Sequence, residues 1–365
     1  MLIVIVGKAA GLIINFFYNL FLLFPQKNQI LILSKQDDKP SEDIELLTKE
    51  LEKTVQVRIL CRKMPHKWPA LIKYLFFCVQ ELKQAAISKA IVLDGYSPVI
   101  GMIRRTRVPV IQIWHAAGAI KKFGYAALGK ADGYSEKVAR NLKMYKNYDV
   151  IFIGSEACRE QMVPAFGCDE ETCVVAALPR MDKIINHREE YRQKIYEAYP
   201  QIKGKYAVLY APTFRKTIDM TSYFKEMADA ADRYGYCLLV KTHVHTTNLK
   251  MPENVIHTSG FSCTELLCAA DSLVTDYSSV VFESALAGVP IYFYRPDLEV
   301  YIEKQGIFDI DVPAFASADA GEVVKAIDRG DYDKKALKAF AEKYIDIKEN
   351  NTKYMADIIL ERAGI

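Results

Sequence analysis

Short apolar runs recur along this chain, each closed by a polar or glycine-containing turn and followed by a stretch of helical period. QILILS at residues 29–34 leads into an amphipathic segment over 41–53 with Ser41 as its N-cap, and QVRILC follows. A helix over 68–85, the strand AIVLDG, a helix over 97–105 and VPVIQIWH continue the pattern, and DVIFIGS, a helix from Glu156 and TCVVAAL extend it. After a charged connector helix over 182–198, a second series runs YAVLYAP, CLLVKTH, NVIHTSG, SLVTDYS and VPIYFY. Antiparallel strands can be joined by two-residue turns, but parallel strands need a crossover of helical length. The alternation therefore predicts parallel sheets with helices on both faces, in two α/β halves over 26–190 and 191–365, with one or two closing helices in 333–363.

Composition agrees. With 365 residues, 51% hydrophobic and 25% charged, the chain can bury two cores of ordinary size. A net charge of +3 argues against a nucleic-acid binder that works through bulk charge, so no nucleic-acid partner is expected. The charge is uneven, however: residues 71–150 hold thirteen Lys/Arg against five Asp/Glu. A solvated face is the common origin of such an excess; a surface that meets anionic lipid or a diphosphate is the sharper one. The eight cysteines include no CxxC pair and sit mostly in apolar stretches, so they read as reduced core residues of a cytoplasmic protein. His243 and His245 lack a Cys or carboxylate at ligand spacing, and neither a metal nor another cofactor is expected.

Residues 1–25, MLIVIVGKAAGLIINFFYNLFLLFP, are apolar except for Lys8, Asn15 and Asn19, which fall on one helical face beside Gly11. That stripe interrupts any run of about twenty apolar residues, and no small-residue cleavage site precedes Pro25. An amphipathic helix lying in the membrane interface is the preferred expectation, ahead of a helix docked on the protein and of a span. LIVIVG as the first strand of a nucleotide fold is a weaker rival, because it lacks GxGxxG.

Residues 271–294 carry the clearest chemical signal. Leu273-Val274 ends a strand, Thr275 to Ser279 turns, and Val280 to Ala287 is a helix closed by Gly288. A helix opened by Ser278 and Ser279 at the carboxyl end of a parallel strand offers hydroxyls and N–H groups to an anion. His115 in IQIWHAAGAIKKFGY, Thr213 and Arg215 in YAPTFRK, His243 in LLVKTHVH and Arg180 in LPRMD also stand at or just beyond strand ends. Open α/β sheets bind ligands there.

WHAAGAIKKFG, YAPTFRK, KTH and TDYSSVVFE, in the family's order and spacing within a stretch from about residue 30 to about 310, resemble the CDP-glycerol glycerophosphotransferase family of teichoic-acid synthesis. WHAAGA followed by KKFG looks more like its primase branch than its polymerases, and ALPRMD departs from the family's GxPRND run, which leaves the role of Arg180 open. The resemblance implies a GT-B architecture, two Rossmann-like domains facing across a cleft. It also implies transfer of glycerol phosphate from CDP-glycerol to an undecaprenyl-diphosphate-linked disaccharide at the cytoplasmic face of the membrane, releasing CMP.

In that chemistry a histidine suits deprotonation of the acceptor hydroxyl, and His115 is the expected base. His243, Arg215, Thr213, Ser278 and Ser279 would bind the donor phosphates, Asp276 would orient His243 or hold its loop, and Glu283 would meet the ribose. Gly118, Lys121 and Lys122 would form an acceptor side in the first half, next to an anionic membrane surface. A polymerase or CDP-ribitol transferase of the same family, a nucleotide-sugar glycosyltransferase and a non-enzymatic nucleotide-binding scaffold remain alternatives, and a homo-oligomer is compatible with the sequence.

Overall fold

In the computed structural model, which describes residues 2–65, 68–215, 218–242 and 251–365, the apolar runs pair side by side into two parallel sheets. Contacts divide the chain into two units: Met1–Ala116 with Phe123–Arg180 and Asp346–Ile365, and Ala117–Lys122 with Met181–Ile345.

The first unit holds β1 (Gln29–Ser34), β2 (Gln56–Cys61), β3 (Ala90–Leu93), β4 (Val110–Gln112), β5 (Val150–Ile153) and β6 (Cys173–Val175), ordered β2-β1-β3-β4-β5-β6. Every residue of β1, β3, β4 and β5 is buried, as expected for parallel strands covered on both faces. The chain runs from β1 outward to β2, then returns to lay β3 on the other side of β1. Loops after β1 and β3 therefore part at a switch point, where open sheets leave a crevice. Its helices are α1 (Leu2–Phe21), α2 (Glu42–Leu51), α3 (Trp68–Ile87), α4 (Pro98–Met102), α5 (Glu136–Asn141) and α6 (Arg159–Phe166). Ser41 and Ser97 cap α2 and α4 by accepting from Ile44 N and Ile100 N.

The second unit holds α7 (Met181–Asn186), α8 (Arg188–Ala198), β7 (Ala207–Tyr210), α9 (Thr221–Arg233), β8 (Cys237–Val240), β9 (Ile256–His257) and α10 (Cys263–Leu267). It continues with β10 (Ser272–Thr275), α11 (Val280–Leu286), β11 (Ile291–Tyr294), α12 (Leu298–Lys304), β12 (Ala314–Ser317), α13 (Ala320–Arg329) and α14 (Lys334–Tyr344). The order β12-β11-β10-β7-β8-β9 puts its switch point between β7 and β10. Val208, Tyr210, Phe224, Leu238, Val274 and Val323 lie in one buried cluster on this sheet. The last helix, α15 (Asn351–Ala363), belongs to the first unit and packs on α2.

Three expectations need correction. The division falls at Arg180/Met181, ahead of the connector and not at 190/191, because Met181 and Ile184 are already buried and α7 packs on α10. The connector itself is two helices, α7 and α8, parted at His187. LIVIVG is helical, not a strand.

Helix α1 lies on α3, α4 and α5. Its polar stripe does not simply face water: the Asn15 amide donates to Met102 O at 3.0 Å and accepts from Arg104 N at 2.7 Å. Tyr18 is 1% exposed, and its hydroxyl accepts from Arg107 N. The outward face is apolar, with Leu12 and Phe16 exposed by 72% and 66%, Leu23 just past the helix by 80%, and Leu75 and Phe76 of α3 by 65% and 73%. Among the described residues, no helix is long and apolar enough to cross a membrane.

Candidate active site

In the first unit the chain leaves β4 through an unusual turn. Trp114 adopts φ +58°, a left-handed conformation costly for a bulky residue. Its N–H donates to Gln112 Oε1 at 2.9 Å, while Gln112 Nε2 donates to Gly95 O at 3.0 Å. The indole stacks on Phe123 at 4.7 Å and meets Phe166 edge-on at 5.1 Å. This turn aims the exposed His115 at the loop after β3, with Nδ1 3.1 Å from the carbonyl oxygen of Asp94. A carbonyl only accepts, so Nδ1 carries the proton and Nε2 the lone pair. Gln36, following β1, approaches the same nitrogen at 3.4 Å, a contact too long to compete.

Beneath it lies a cluster of acids. Asp94 is 1% exposed and accepts from Ser34 Oγ at 2.9 Å. Burial pushes its carboxyl up to about 7, and the nearby charge of Asp43 adds to the rise. Asp43 in turn binds Arg180 through both the backbone N–H (2.9 Å) and the guanidinium, whose Nη2 reaches His115 O at 3.0 Å. Arg180 thus ties the segment after β6 to α2 and to the backbone of His115.

At the switch point of the second unit, Asp276 follows β10 and is 2% exposed. It accepts from Thr213 N at 2.9 and 3.1 Å, from Tyr277 N, and from Arg215 Nη2 at 2.9 Å. Arg215 also donates through Nε to Asp297 at 2.7 Å and through Nη1 to Thr213 O at 2.7 Å. Its guanidinium lies 5.0 Å from the Tyr277 ring centre and 4.7 Å from that of Tyr301, two rings stacked at 3.8 Å. Burial works against the Arg215 charge, but Asp276 and Asp297 together hold its pKa above the usual arginine value. Ser278 Oγ accepts from Val280 N at 3.3 Å, and Ser279, at the N-cap of α11, makes no side-chain cap bond. Glu283 is buried on α11.

The sequence-derived residues therefore divide. Thr213, Arg215, Asp276, Ser278 and Ser279 gather at the second switch point, and His115 and Arg180 gather at the first unit's strand ends. Arg215 turns inward to two carboxylates, where an outward phosphate fork was expected. His243 lies outside the described residues. Gly118, Lys121 and Lys122, expected on the first half's acceptor side, group with the second unit. Gly118 is small because a Cβ there would come within 2.5 Å of the Phe282 ring. Lys121 pairs with Ile307, and Lys122 N donates to Gly306 O at 3.0 Å.

Sequence reasoning missed Asp94, Asp43, Asp297 and Arg295. The half-buried Arg295 donates to Asp276 O at 2.8 Å, its guanidinium sits 3.5 Å from the Phe293 ring centre, and it lines a cavity of about 420 Å³ with Asp297 and Ser317. Asp94 and Arg295 stand at strand ends, the signal that singled out His115. Nothing local in the sequence couples Asp297 to Arg215.

The family model of CDP-Glycerol:Poly(glycerophosphate) glycerophosphotransferase matches residues 15–361. The teichoic acid ribitol-phosphate primase of Bacillus spizizenii is 30% identical, over 93% of this chain and 92% of that protein. The teichoic acid glycerol-phosphate primase of Bacillus subtilis is 30% identical, over 73% of this chain and 71% of that one. Among solved structures, the wall teichoic acid polymerase TagF superposes with a TM-score of 0.75 at 17% identity, covering 100% of this chain and 98% of that one. The fold is GT-B-like.

Proposed function

Since the chain belongs to the CDP-glycerol:poly(glycerophosphate) glycerophosphotransferase family, we propose that it is a primase of wall teichoic acid synthesis. It transfers glycerol phosphate from CDP-glycerol to an undecaprenyl-diphosphate-linked disaccharide at the cytoplasmic face of the membrane. The observation that carries the reading is the family match over residues 15–361, joined to His115 poised at the end of β4 with Nε2 as its basic nitrogen.

The acceptor hydroxyl oxygen attacks the phosphorus that bears the glycerol. Its bond to phosphorus forms as the bond from that phosphorus to the CMP oxygen breaks, and the hydroxyl proton passes to His115 Nε2. The second unit binds the donor, with Ser278, Ser279 and Arg295 facing the phosphates, and His243 is assigned the same charge-stabilising role from its sequence alone. Arg215 and Asp276 hold the loops that present them. The exposed apolar face of α1 and α3 supports a membrane-surface location.

Ribitol phosphate is the second reading, because the ribitol-phosphate primase matches over nearly its full length. The test offers CDP-glycerol, CDP-ribitol or a UDP-sugar with a lipid-linked disaccharide and weighs the product by mass spectrometry. One added glycerol phosphate supports the first reading, one ribitol phosphate the second. A long polymer or a transferred sugar overturns both.

A further inference from the structure

A cavity of about 720 Å³ in the first unit, away from the turn of His115, is lined by Arg104, Arg140, Lys143 and Lys146. A neighbouring cavity of about 420 Å³ under α1 shares Arg104, Arg140 and Lys143 and adds Lys8 and Leu12. Neither lining includes a carboxylate. Among the described residues Arg140 is ion-paired with Glu136, while Lys8, Arg104, Lys143 and Lys146 are in no ion pair. Cations gathered around one opening repel one another unless an anion neutralises them.

The loop carrying the two lysines is held in a costly conformation. Lys143, Tyr145 and Asn147 take φ of +48°, +57° and +72°, the left-handed region that bulky residues avoid. Asn147 Nδ2 donates to Ile100 O and Ile103 O at 2.8 Å each, and Tyr96 Oη donates to Leu142 O at 2.7 Å. Residue 101 must be glycine, because a Cβ there would stand 2.7 Å from Lys143 O. The lysines are thus presented from a fixed backbone. Tyr145 meets Trp114 edge-on at 6.3 Å, so the same aromatic cluster supports this loop and the turn before His115.

Leu12, exposed by 72%, lines the smaller cavity and belongs to the outward apolar face of α1. We propose that these joined basic cavities are a binding site for the phosphate of a membrane-lipid headgroup, whose acyl chains lie along the exposed side chains of α1 and α3. Cations select the phosphate, and the adjoining apolar face selects a phosphate that carries a lipid tail. The inference rests on the membrane-surface part of the proposed function and not on its transfer chemistry, so a vesicle assay tests it without donor or turnover.

The full chain is mixed with vesicles of phosphatidylglycerol and phosphatidylcholine, and sedimentation is measured for wild type, Lys143→Ala/Lys146→Ala and Arg104→Gln. Each basic residue near an anionic surface contributes about 1 kcal/mol, so the double variant should bind about 30-fold more weakly with an unchanged melting curve. Lys49→Ala/Lys53→Ala, at the end of α2 and in the turn after it, removes the same charge and should change binding by less than about 3-fold. Arg104→Gln keeps the test decisive if the double variant fails to fold. Equal weakening by the α2 control would mean bulk charge alone, and would overturn the site. So would calorimetry in which soluble inorganic pyrophosphate binds wild type as tightly as the vesicles do and fails to bind the double variant, since the site would then take free phosphate.

Discussion

The imidazole of His115 and the backbone carbonyl of Asp94 lie 3.1 Å apart, at strand ends that are neighbours in the sheet but twenty-one residues apart in sequence. The contact fixes the tautomer, with Nδ1 donating to the carbonyl and Nε2 left as the basic nitrogen. His115→Ala should lower turnover by about 10²- to 10³-fold while the protein keeps its melting temperature. His243→Ala should do the same through lost phosphate stabilisation. More than about a tenth of wild-type activity in either folded variant would remove that residue from the mechanism.

Asp94 makes stability depend on pH. Its carboxyl is raised by burial from 3.8 to about 7, so the folded state holds the proton more tightly than the unfolded chain. The stability this contributes is complete below about pH 4 and is lost as pH rises through 7, by ~4 kcal/mol at most. Asp94→Asn stays neutral throughout. Thermal melts of the variant, compared with wild type from pH 4 to 8, should show its relative stability climbing with pH; parallel curves would mean an ordinary carboxylate.

Arg215 is the cation between Asp276 and Asp297, and all three are less than a tenth exposed. Arg215→Ala should cost about 3–5 kcal/mol in denaturant unfolding, because two buried carboxylates lose their partner. Arg215→Lys should restore only part of it, since an ammonium cannot reproduce the fork over two carboxylates and Thr213 O. Full stability in the alanine variant would show that the loops after β7 and β10 stand without it.

Truncating residues 1–25 would confuse membrane attachment with folding, because it removes Tyr18 from a buried cluster that includes Leu31, Leu93 and Val110. Leu12→Ser/Phe16→Ser/Phe76→Ser changes only exposed side chains. The triple variant should sediment poorly with anionic vesicles yet melt within about 1 °C of wild type, as surface substitutions usually do. Undiminished sedimentation would mean that this apolar face does not touch lipid.

Much of the fold was legible because buried parallel strands write themselves as apolar runs, and the cap Ser41 sits where the pattern changes period. β12 escaped notice: its residues, AFAS, are half-exposed at a sheet edge and leave no such run. At the site, position at a strand end revealed His115 but not what holds it. The Arg215–Asp297 pair spans eighty-two residues and the Arg180–Asp43 pair one hundred and thirty-seven, and such pairings exist only once the sheet order is known. Lys121 and Lys122 were misplaced for the converse reason, since neighbours in sequence to His115 need not share its unit.

The return of residues 346–365 to the first unit bears on how the protein is made. Domains fold as units during synthesis, the N-terminal one first. Here the first unit cannot follow that order, because α15, which packs on α2, is translated after the entire second unit. Helix α2 waits for a packing partner that arrives last. From the completion of β6 at Val175 until Asn351 is made, the nascent chain therefore carries the first unit's full strand set with one helix missing, a state in which a chaperone would find its target.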